Sequence, residues 1–86
     1  MVPRIKATVA WAELDGEIVL YDQNTGSMHL LNPQAGAIWV RVDGVASLGE
    51  ITADLRDSYQ GDQKEIGQDV ADFVDRLIAE GVLEEL

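Results

Sequence analysis

The sequence predicts an α+β domain: a three-stranded antiparallel meander followed by three helices. Three observations lead there. Apolar residues alternate along the N-terminal third and are broken by the turn signal Asp15-Gly16. At Asn32-Pro33 the pattern changes from strand to helix. The C-terminal half then holds two more stretches with apolar residues at helical spacing, each preceded by a capping residue.

The first strand is expected over about residues 5–12, where Ile5, Ala7, Val9 and Trp11 alternate with other residues and define one buried face. Asp15-Gly16 is a hairpin signal, because a tight primed turn needs positive φ. The second strand follows at about 17–22 through Ile18-Val19-Leu20-Tyr21, and the polar run Gln23-Asn24-Thr25-Gly26 turns the chain again. The third strand is Ser27 to Leu31.

Asn32 can cap a helix whose first turn holds Pro33, where a missing N–H costs nothing. This first helix is expected over about 33–42, ending at Asp43-Gly44, with Ile38-Trp39 as its apolar face. Ser47-Leu48-Gly49-Glu50 has the form of a capping box. The second helix, about 48–60, then places Ile51, Leu55 and Tyr59 on one side, with Gly61 as its stop. Asp62-Gln63-Lys64-Glu65 caps the third, about 63–80, whose stripe is Ile66, Val70, Phe73, Val74, Leu77 and Ile78. Gly81 should end it, leaving Val82, Leu83 and Leu86 to fold back on the domain. Trp39 and Phe73 are assigned to the core, and Trp11 to packing across the sheet.

Residues 1–86 suit a single domain near the lower size limit for folding without staples. There is no cysteine, so neither disulfides nor thiol chemistry can contribute. That is compatible with a reducing cytoplasm, the expected location, without establishing it. No apolar run approaches the roughly 18 residues of a membrane span, and no signal peptide is recognisable. The net charge is −10. Residues 62–86 carry eight acids against Lys64 and Arg76, a net of −6. Such a surface repels nucleic acid and anionic lipid and favours basic or neutral partners, although a solvated face has the same composition.

Catalytic chemistry finds little support. His29 is the only histidine, and one mid-strand His without acidic neighbours does not make a metal site. Ser27 and His29 share a strand face, but no nucleophile elbow or oxyanion loop surrounds them. Asp69, Asp72 and Arg76 fall on one flank of the third helix, with Asp72 and Arg76 spaced for an i, i+4 pair. An ordinary surface helix looks the same. A DNA-reading third helix would carry Lys, Arg, Asn or Gln where this one has Asp69, Asp72 and Asp75. No cofactor is expected.

A sequential meander has two open edges, and the third strand is one of them. Ser27-Met28-His29-Leu30-Leu31 lacks the proline, bulge or charge cluster that usually blunts an edge. Two readings fit: a short edge covered by the third helix, or a docking edge that accepts an extended peptide as a fourth strand.

The ordered series from Gly26-Ser27-Met28-His29-Leu30-Leu31-Asn32-Pro33 to Ile38-Trp39, Asp43-Gly44, Glu50-Ile51-Thr52-Ala53-Asp54-Leu55, Asp69 to Leu77 and Gly81-Val82-Leu83-Glu84 resembles the PqqD-like family. These are the precursor-peptide recognition elements of ribosomal peptide biosynthesis. The resemblance runs from about Val9 to the C-terminus. It implies a winged helix-turn-helix fold and a non-enzymatic domain that binds the leader of a precursor peptide along the third strand and third helix. Carried over, Ser27, Met28, His29, Leu30 and Leu31 form the strand partner. Asp69, Asp72, Phe73, Arg76 and Leu77, chosen from the helical wheel, form the wall, with Phe73 as apolar floor. Asp69 and Asp72 would attract basic leader residues, and Arg76 an acidic one.

The segment Tyr21 to Gly26 entering Leu31-Asn32-Pro33 looks more like the stand-alone leader-binding proteins of lasso-peptide clusters than like PqqD of quinone-cofactor synthesis. That implies a separate leader peptidase and cyclase as partners. The alternatives are a peptide chaperone for a radical-SAM maturase and a winged-helix transcription-related protein. Self-association into a homodimer through the open strand is compatible with either form of peptide binding.

Overall fold

A computed structural model describes residues 1–59 and 61–86. Among these residues five strands and three helices follow in the order β1 (Pro3–Ile5), β2 (Val9–Leu14), β3 (Glu17–Asp22), β4 (Met28–Leu31), α1 (Pro33–Trp39), α2 (Leu48–Ser58), α3 (Gln63–Ala79) and β5 (Leu83–Glu85). The expected α+β class is observed. The meander is an antiparallel sheet in the order β2-β3-β4, with Leu20 opposite both Trp11 and His29. β4, the third strand of the sequence reading, is an edge.

The single strand expected over 5–12 is two strands. The chain turns at Lys6–Thr8, where Val9 N–H donates to Lys6 C=O at 3.0 Å. The piece before the turn leaves the meander and pairs antiparallel with β5. The C-terminal residues expected as a tail therefore form a strand joining both chain ends. Val82 and Leu83 are fully buried there, while Leu86 is exposed. Flanking backbone bonds extend the ribbon, from Lys6 N–H to Val82 C=O (3.1 Å) and from Leu86 N–H to Val2 C=O (2.9 Å). Arg4 Nε donates to Glu84 Oε1 across it at 2.8 Å.

The helices start where their caps place them. Asn32 Oδ1 accepts from Ala35 N–H (2.8 Å), the Ser47–Glu50 box is complete, and Asp62 accepts from Lys64 and Glu65 N–H. α1 stops at Trp39, three residues short of expectation, because Arg41 and Val42 N–H donate to Ile38 and Trp39 C=O and tighten the last turn. Asp43 Oδ1 then accepts from Val45 and Ala46 N–H and fixes the loop. α2 ends at Ser58 with Tyr59 extended and half-exposed; the residue 60 expected in it lies outside the described residues. α3 ends in a Schellman motif, with Val82 N–H reaching Leu77 C=O (2.9 Å) and Gly81 at φ +80°.

The core lies between the inner face of the meander and the helices. Ile18, Leu20 and Leu31 meet Ile38 and Trp39 of α1, Ile51 and Leu55 of α2, and Val70, Phe73, Val74 and Leu77 of α3. Gly36 lets α1 approach β3, since a Cβ there would stand 3.2 Å from Ile18 Cδ1. Trp11 packs edge-on against Trp39, centroids 6.1 Å apart, although Trp11 itself stays half-exposed. No helix among the described residues is long and apolar enough to cross a membrane.

Candidate peptide-binding groove

The open edge of β4 is built by alternation. Asp22 N–H donates to Ser27 C=O at 2.9 Å, which marks that position as hydrogen-bonded. With Leu20 opposite His29 and Ile18 opposite Leu31, His29 and Leu31 turn their N–H and C=O toward β3. Met28 and Leu30 therefore turn theirs toward the open side. Among the described residues, no strand pairs with that side. Ser27 lies before the strand, and its N–H is held by Thr25 Oγ1 at 3.2 Å. So two of the five expected strand residues, Met28 and Leu30, offer free backbone groups.

The same alternation sorts the side chains. Those of Met28 and Leu30 stand on the outer face, 69% and 66% exposed. There they continue the cross-strand rows Ala10–Tyr21–Met28 and Ala12–Val19–Leu30, which carry no charge. His29 and Leu31 point inward. Leu31 is core, and His29 Nδ1 reaches Glu80 Oε2 just beyond the end of α3 at 3.2 Å.

A groove of about 280 Å³ runs between the start of α1 and α3, bounded by Asn32, Gln34, Ala35, Ile38, Asp69, Asp72, Phe73 and Arg76. Four of the five helix residues expected in the wall are thus brought together. Leu77 is not among them; at 1% exposure it lies in the core. Phe73 is nearly buried, and the Arg76 guanidinium lies over its ring at 5.9 Å. That contact replaces the Asp72–Arg76 pair expected from spacing; Asp72 Oδ1 accepts instead from Gln68 Nε2 at 2.9 Å. Gln34 was missed by sequence reasoning. Its Nε2 donates to Asp69 Oδ2 at 3.0 Å and ties α1 to α3. No sequence signal marks a polar residue in a first turn as a partner for a site 35 positions away.

The two carboxylates with displaced pKa lie outside the groove. The Asp43 carboxyl is held below its ordinary value by the N–H of Ala46 and then of Val45. That of Glu50 is lowered by the Ser47 N–H and then by the Ser47 hydroxyl. Among the described residues, no three His, Asp or Glu side chains converge as metal ligands would. The groove can offer an apolar floor, carboxylates and a guanidinium, and the neighbouring β4 edge offers its backbone.

Residues 17–83 match the family model of coenzyme PQQ synthesis protein D. The chain belongs to the PqqD family. The chain superposes on TbiB1 in complex with the TbiA(beta) leader peptide with a TM-score of 0.87 at 26% identity, covering 96% of each chain. It superposes on lasso peptide synthetase B1 complexed with the leader peptide with a TM-score of 0.86. At 24% identity, covering 99% of this chain and 100% of that one, the second likeness speaks for the fold alone. No curated protein matches the chain. In this PqqD-family chain the groove and the bare β4 edge adjoin through Asn32, the one residue between β4 and α1.

Proposed function

We propose that the chain is a non-enzymatic adaptor that captures the leader of a ribosomally made precursor peptide as a fourth strand on β4. The observation that carries this is the outward N–H and C=O of Met28 and Leu30, which no strand pairs among the described residues, on an edge that leads through Asn32 into the groove. Backbone pairing supplies affinity to any extended segment; side-chain contacts supply selectivity. Phe73 offers apolar contact, Asp69 and Asp72 attract Lys or Arg, and Arg76 suits an acid. Residues 1–86 act together as one peptide-recognition domain, and the bound leader is passed to a separate leader peptidase and cyclase of lasso-peptide maturation. The likeness to TbiB1, solved in complex with a leader peptide, supports this reading. The work belongs in the cytoplasm, where precursors are made.

The family model's own description favours a second reading, a peptide chaperone of the PqqD type serving a radical-SAM maturase. The two share the groove and differ in the enzyme served.

Titration calorimetry with the leader of a precursor encoded beside this chain tests the proposal. Micromolar or tighter binding is expected, about −8 kcal/mol or better. Undiminished binding to a folded Leu30→Pro variant would rule out strand addition. Pull-down by the loaded complex of a peptidase, or of a radical-SAM enzyme, separates the two readings.

A further inference from the structure

Beyond Gln34 the groove opens into a second, larger cleft. It lies between α1, the end of α2 and the first half of α3, and measures about 450 Å³. That is the size of a small-ligand pocket. Its floor is Ile38, Leu55, Ile66 and Val70, and Ala37 forms one side. Asp62, Glu65 and Asp69 stand around it; no described lining residue is Lys or Arg, and the cation beside it is Arg41, whose guanidinium lies 6.0 Å from the ring centre of Tyr59 at the α2 end. The field at the mouth comes from Asp62, Glu65 and Asp69, with Asp62 also capping α3. Gln34, Ile38 and Asp69 line both cavities, and the Gln34–Asp69 hydrogen bond bridges α1 and α3 where they meet. Pro33, in the lining, comes two residues after the last residue of β4. An extended chain advances about 3.3 Å per residue, so a peptide leaving β4 beside Leu31 reaches the cleft within roughly two to four residues.

We propose that this cleft is an anchor pocket for the same peptide. It takes one bulky apolar side chain, aromatic or branched aliphatic, flanked by Lys or Arg. The anchor stands a few residues beyond the segment paired with β4. Continuity with the groove fixes the occupant as that peptide, and the lining carboxylates fix the sign of the flanking charge. The inference rests on the peptide-capture reading and goes further, because it names a second recognition element and its spacing from the first.

The test selects from displayed random peptides, long enough to cover both sites, on the intact wild-type chain and on two variants. Ala37→Phe fills the cleft from α1, and Glu65→Lys reverses charge at its mouth on an exposed position. Wild type should enrich peptides with the anchor and its basic neighbour at fixed distance from a strand segment. Both variants should keep the strand segment and lose the anchor preference. Replacing the anchor by Ala in a selected peptide should weaken binding to wild type about tenfold to hundredfold, and to Ala37→Phe by less than about threefold. If Ala37→Phe does not fold, Glu65→Lys decides the point alone through loss of the basic neighbour. Peptides enriched for a strand segment without any anchor overturn the inference and leave strand capture standing. Failure to enrich any peptide on wild type overturns both.

Discussion

Two strand margins of this small molecule have been treated in opposite ways. The β1–β5 ribbon is tied into the body: its strands pair with each other, bonds at both ends extend that ladder, Pro3, Val82 and Leu83 are buried, and Arg4 and Glu84 join across it. The β4 edge is four residues long and left open, with two apolar side chains standing in solvent. Proteins usually close or charge such an edge. On the proposed function the ribbon serves stability and the edge serves contact, so damage to one should spare the other.

The largest expected effect is on the ribbon. Leu83→Ala should cost about 2–5 kcal/mol of stability, measured by urea unfolding, while peptide affinity below the transition stays within about twofold. A joint loss of both would merge the two regions into one functional unit. Leu30→Pro should do the reverse. Its N–H faces away from β3, so the unfolding midpoint should move little while leader affinity falls about hundredfold or more, roughly 2.7 kcal/mol. A large fall in stability would show that the edge also holds the sheet together.

Asp69→Asn with Asp72→Asn sharpens the comparison from the charge side. Leader affinity should drop about threefold to tenfold, on the scale of one or two exposed ion pairs of up to about 1 kcal/mol each. The salt dependence of binding should flatten as well. An unchanged salt response would remove both carboxylates from the contact.

How much of this contrast could be read beforehand follows from how local each signal is. Asp15-Gly16, Asn32-Pro33, the Ser47 box, Asp62 and Gly81 act within one turn of themselves, and all mark real boundaries. The third strand could be placed at an edge because meander order follows sequence order. β1 and β5 escaped notice because three residues carry no periodicity, and their pairing joins opposite chain ends. On α3 the apolar stripe was legible but depth was not: Phe73 and Leu77 look alike on a wheel, yet Phe73 borders the groove and Leu77 lies in the core. Arg76 chose the ring of Phe73 over Asp72, a rotamer decision that spacing does not encode.

Two smaller effects probe the ribbon. Arg4→Ala removes a solvent-exposed ion pair and should lower stability by no more than about 1 kcal/mol, with binding untouched. The Asp43 loop packs beside it, Gly44 lying close to the Arg4 stem. Because the Asp43 pKa is lowered on folding, its contribution is complete above the ordinary value of 3.8 and is lost as pH falls through the lower folded value. The stability gap between wild type and Asp43→Ala should therefore be constant near neutrality and close in acid. A gap that persists in acid would assign the effect to packing.

A single residue, Asn32, connects the last residue of β4 to the first of α1. So short a joint gives strand and helix little freedom to hinge against each other. The receptor therefore meets its guest almost in final form, and nearly all the disorder surrendered on association is the guest's own. Stiffening a synthetic ligand into an extended shape should thus tighten the complex more than any further bracing of the host.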